Sequence, residues 1–145
     1  MNQNPYEPPR DLAPPGYAQA AVAPALRVPF VLAAIGAWAA SAYWGGMTML
    51  IGLGTATGRV SPIQGVLPCV LIVLYALRGW QIFKGDPAAA KRIIFLHVIG
   101  GAVAAMQIAS GTALLVVLSS IKVAIHVFGG VTAFMAQRAF AESRR

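Results

Sequence analysis

Residues 93–118 read "IIFLHVIGGAVAAMQIASGTALLVVL", twenty-six positions without a charged side chain. A helix needs about 20 apolar residues to cross roughly 30 Å of hydrocarbon. No water reaches the backbone there, so every N–H and C=O must be satisfied within the segment. The run is therefore expected to be a transmembrane helix, its glycines and β-branched residues notwithstanding. Lys91 and Arg92 bound it on one side, Ser119 and Ser120 on the other.

Three more runs have the same character: residues 28–53, 62–83 and 123–140. The chain is 58% hydrophobic and 10% charged, against roughly 25% charged in a typical soluble domain. The expected fold is an all-α membrane protein, four transmembrane helices forming one antiparallel bundle over residues 26–142. Residues 1–25, with six prolines, read as a disordered polyproline-rich tail. "ASA" at 40–42 has the form of a signal-peptidase site. The run continues apolar for 11 residues beyond Ala42, longer than a signal peptide's core, and is read as a retained helix.

The formal charge is +7, but the basic residues form no patch for nucleic acid. They sit at the ends of apolar runs, as orientation signals do. Arg10, Arg27, Arg78, Lys84, Lys91, Arg92, Arg138, Arg144 and Arg145 fall on one side; Arg59 and Lys122 fall on the other. Nine against two places both termini in the cytoplasm. The inner turn "KGDPAAAKR" (84–92) carries a glycine for reversal, Asp86 as helix cap and Pro87 at the first helical position. The outer turn between the last two helices is assigned to "SSIK" (119–122).

The opening "NPYEPP", Asn4 to Pro9, resembles the NPYxPP-type leader of small bacterial multi-spanning inner-membrane proteins. That resemblance implies a bacterial inner membrane and carries no catalytic residue.

"HVIGGAVAAM" (97–106) returns as "HVFGGVTAFM" (126–135), with six of ten positions identical. Helical spacing puts His97, Gly100, Gly101 and Ala104 on one face, and His126, Gly129, Gly130 and Ala133 on another. Helix one has its own ladder of small residues: Ala33, Ala37, Ser41 and Gly45. Such grooves let membrane helices approach closely. A glycine groove beside histidine also suits haem b, with imidazole on iron. With the outer turn near residue 120, the two histidines differ in depth by 17 residues, roughly 26 Å. Haem would then need a homodimer, pairing His97 with His97 and His126 with His126.

Little other chemistry is written in the chain. Glu7, Asp11, Asp86 and Glu142 all lie outside the spans, and Cys69 stands alone. No catalytic residue and no metal site is assigned. Pro68 is expected to bend helix two. Arg78, His97 and Gln107 are grouped as a ligand or lipid site. The first expectation is a non-enzymatic accessory or scaffold protein that meets itself or another membrane protein through small-residue faces. The alternatives are a haem b redox protein, or a small transporter or lipid-binding protein.

Overall fold

The computed structural model describes residues 24–143. The proline-rich tail, Arg10, Arg144 and Arg145 lie outside that range. Four helices follow one another: α1 Pro24–Ala56, α2 Val66–Phe83, α3 Pro87–Ser110 and α4 Ala113–Glu142, with a 3-10 turn at Pro62–Gly65 leading into α2. All four are long and apolar enough to cross a membrane. Each exposes large aliphatic and aromatic side chains on its outer face, Leu53, Leu67, Phe95 and Phe134 among them. Water would penalise that surface and lipid does not.

The core is built from small residues. Ala33, Ala34, Ala37 and Ala40 of α1, Ala89 and Ala90 of α3, and Ala133 and Ala136 of α4 are buried around Phe30, Tyr75, Ile82 and Ile93. Small side chains let the backbones approach, and dispersion between them replaces the hydrophobic drive that lipid removes. At Gly36 of α1 a Cβ would lie 2.6 Å from the Gly129 Cα of α4. Gly45, at the far end of the α1 ladder, has nothing within 4 Å of its Cβ position. The Ser41 hydroxyl donates to the Ile72 carbonyl at 3.0 Å, tying α1 to α2. The Gln137 amide donates to the Pro87 carbonyl, tying the end of α4 to the start of α3. Contacts join α1 firmly to α2 and α4. By contrast, α3 rests on α4 and barely meets α1 or α2.

The connections explain where each helix stops. Gly58 (φ 68°) closes α1, with the Arg59 N–H returning to the Gly54 carbonyl at 2.8 Å. Pro68 lies in the first turn of α2, where its missing N–H removes no bond within that helix. Gly85 adopts φ 88°, a conformation open to glycine at little cost. Asp86 then accepts the N–H groups of Ala88 at 2.8 Å and Ala89 at 3.2 Å. That cap is worth about 1 kcal/mol.

The third connection differs from the expectation. The chain reverses at Gly111 and Thr112, not at "SSIK". The spans expected at 93–118 and 123–140 are replaced by α3 Pro87–Ser110 and α4 Ala113–Glu142. Ser119, Ser120 and Lys122 are therefore interior positions of α4, and Lys122 does not belong among the outer charges. The shift follows from how little a reversal needs: one extended residue, Gly111 (φ −101°, ψ 159°), and Thr112 at the N-cap.

Candidate functional site

Moving the turn changes the relation between the two copies of the repeat. His97 lies fourteen residues before Gly111 and His126 fourteen after Thr112. Each is thus about 21 Å from the reversal at 1.5 Å per residue. The 26 Å separation expected from sequence is overturned: the imidazoles meet, with Nδ1 atoms 3.0 Å apart. Their rings stand edge to face at 64°, with centroids 5.3 Å apart. His97 is 1% exposed and His126 3%.

The glycines make this meeting possible. Each imidazole lies over a glycine of the opposite helix, His126 on Gly100 and His97 on Gly129. A Cβ at either glycine would overlap the ring. The following glycines touch only the histidine stems: a Cβ at Gly101 would lie 3.6 Å from the His126 Cβ, and one at Gly130 would lie 3.5 Å from the His97 Cβ. The repeat is thus a reciprocal clasp, a ring from each helix seated in the other's glycine notch. Tyr75 of α2 closes over it, its ring 5.3 Å from that of His97 and 6.0 Å from that of His126. On the outside of the seam runs an open groove of about 410 Å³, walled by Val98, Val127 and Phe134.

An Nδ1···Nδ1 bond imposes a rule on protons. One ring must carry hydrogen on Nδ1 and the other must offer a bare Nδ1. The neutral pair therefore holds one Nε2–H and one unprotonated Nε2. Both Nε2 atoms are buried and have no partner. One further proton can be held on the bare Nε2 while the bond survives. A fourth proton would destroy it, since both Nδ1 atoms would then be donors.

One helical turn from His126 toward the Gly111 end, Lys122 is 4% exposed. Its ammonium lies 4.6 Å from the centroid of the Trp44 ring. The acidic side chains among the described residues, Asp86 and Glu142, stand at the other end of the bundle. Ser119, also buried, continues the same face of α4. The sequence reading missed this lysine because it placed Lys122 in a loop. The SGT sequence at 110–112 held the signal: a glycine stop followed by a threonine cap.

The other expected grouping does not form. Arg78 lines a crevice between α2 and α3 that His97 does not line, its Nη1 donating to the Gln81 side chain at 2.7 Å. Gln107 is exposed in the last turn of α3, ten residues or about 15 Å from His97. Haem does not fit the clasp as folded. Axial ligation by both rings needs one nitrogen of each turned to a single iron, with the macrocycle between them. Here the Nδ1 atoms are bonded to each other and each Nε2 rests on a glycine. Comparison with protein-family models, curated proteins and solved structures gave no match.

Proposed function

We propose that this chain is a small non-enzymatic accessory protein of a bacterial inner membrane, with both termini cytoplasmic, in which proton occupancy of His97–His126 sets how firmly α3 is held. The supporting observation is the 3.0 Å Nδ1···Nδ1 contact between two buried imidazoles. Ionisable groups inside a bundle are retained at a cost and tend to mark function. The pair lies within the α3–α4 seam, the one broad contact that α3 makes, since α3 meets α1 and α2 only thinly. The titratable groups beside the pair are Tyr75 of α2 and Lys122 of α4 itself; α1 presents Gly36 along this seam. No carboxylate is among them to balance a second charge.

The sign follows from the proton rule. The clasped pair accepts fewer protons than two separated imidazoles, so acid favours release and stability falls as pH drops. In detergent or nanodiscs, acidification through the histidine range is expected to cost about 1–3 kcal/mol, the penalty for leaving buried groups without partners. The His97→Gln/His126→Gln double variant should lose this dependence while remaining folded. Identical pH profiles for the double variant and the parent chain would refute the proposal.

Orientation rests on charge. Arg27, Arg78, Lys84, Lys91, Arg92 and Arg138 lie toward the end of the bundle that carries both termini, with Arg10, Arg144 and Arg145 in the flanking tails; Arg59 alone marks the other end. Nine against one sharpens the positive-inside bias. Alkaline phosphatase fused after Arg145 should be inactive, and fused after Arg59 active. The reverse pattern would invert the topology.

A further inference from the structure

A second feature lies outside the clasp. Although only a three-residue turn joins them, α2 and α3 scarcely touch. The gap is a crevice of about 710 Å³ at the end of the bundle that carries the termini. Arg78 lines it from α2, and Lys91 and Arg92 from α3, with Leu74, Phe95 and Leu96 completing the walls. We infer that this crevice binds an anionic phospholipid, its phosphate at the three cations and an acyl chain along the apolar wall.

The layering of the crevice supports a lipid over a free anion. Leu74 is one turn deeper than Arg78 along α2, and Phe95 and Leu96 are one turn deeper than Lys91 and Arg92 along α3. Cations therefore stand at the mouth and hydrocarbon below. An inorganic phosphate gains nothing from the lower layer, whereas a phospholipid matches both.

The depth of the mouth is marked independently. Trp80 and Phe83 stack at 6.1 Å on the exposed side of α2, and the Lys84 ammonium lies 4.9 Å from the Trp80 ring centroid. Aromatic rings with an adjacent lysine are the signature of a membrane–water interface. Arg78 is two residues from Trp80, so its guanidinium stands at headgroup level. Its bond to Gln81 uses one N–H and leaves the others of the fork for phosphate. Asp86 is not among the residues that line the crevice, and three cations there outnumber its one charge; one of its carboxylate oxygens accepts the N–H groups of Ala88 and Ala89. That cap also occupies the start of α3, so the side chains and not the helix end supply the donors.

The test uses the full chain in nanodiscs or mixed micelles containing phosphatidylglycerol or phosphatidylcholine, with lipid retention read by native mass spectrometry. Phosphatidylglycerol should be retained in preference to phosphatidylcholine. Each basic residue near the surface contributes about fivefold, so Arg78→Gln/Lys91→Gln/Arg92→Gln should weaken retention by about 100-fold. The control variant Lys84→Gln/Arg138→Gln removes two charges at the same end outside the crevice and should retain the lipid. Phe95→Ser, in the apolar layer alone, should shorten retention with all three cations intact. Equal retention of the two lipids overturns the inference, as does undiminished binding in the triple variant. Competition by inorganic phosphate as effective as phosphatidylglycerol would overturn the lipid assignment in favour of a free-anion site. The outcome does not depend on the histidine clasp.

Discussion

Gly129→Ala is expected to lower the stability of the bundle by about 2–3 kcal/mol, a large loss for one methyl group. The methyl would occupy the space of the His97 imidazole. Tyr75 covers the pair on one side and His126 holds the ring's Nδ1, so the ring can yield only toward the outer groove and only by breaking that bond. The backbone cannot retreat, because Gly36 of α1 already packs against the Gly129 Cα. The same substitution one residue later should behave oppositely. A Cβ at Gly130 makes an ordinary contact at 3.5 Å, and alanine gains up to about 1 kcal/mol over glycine in a helix interior. The decisive measurement is a double-mutant cycle in detergent unfolding. His97→Ala alone should cost about 1–3 kcal/mol by orphaning His126. Gly129→Ala added to it should cost almost nothing further, a coupling of about 2 kcal/mol. Additive losses would show that the ring and the glycine do not share one space.

Lys122→Met is expected to stabilise the protein, by about 1–4 kcal/mol. The lysine is 4% exposed and faces Trp44. Its contact with the indole ring contributes about 0.5–2 kcal/mol, less than the several kcal/mol needed to desolvate an ammonium. Methionine keeps most of the volume without the charge. Lys122→Ala should gain less, because it leaves a void where the chain ran. Thermal unfolding in detergent at neutral pH distinguishes the cases. A loss of more than about 1 kcal/mol in the methionine variant would mean that the ammonium has an anionic partner in the folded protein. A stabilised variant would show that Lys122 is kept for a reason other than folding, consistent with a polar stripe of Ser119, Lys122 and His126 retained for function.

Much of the architecture was legible from sequence for identifiable reasons. The turn at Gly85 and Asp86 announced itself through a glycine, a capping carboxylate and a proline in the order a helix start requires. The spans expected at 28–53 and 62–83 lie within α1 and the Pro62–Phe83 segment, because Arg59 and Lys84 interrupt hydropathy near the ends of those segments. The third reversal was not legible in the same way. Gly111 and Thr112 are uncharged and small, so the apolar run passes through them unbroken, while Ser119, Ser120 and Lys122 have the composition of a loop. The repeat held the missing constraint. Two histidines that pair across an antiparallel hairpin require a turn midway between them, and the midpoint of 97 and 126 falls between Gly111 and Thr112.

Sequence alone determined that the chain forms four apolar helices, because the need to satisfy every backbone hydrogen bond in lipid leaves a long uncharged run little alternative. Tertiary structure decided which polar groups those helices enclose. His97, His126 and Lys122 each lie on an apolar segment, and whether such a side chain faces lipid, solvent or another helix depends on where its partner helix begins. A reversal nine residues earlier than the composition suggests brings two imidazoles to one depth and carries a lysine from the surface into the bundle.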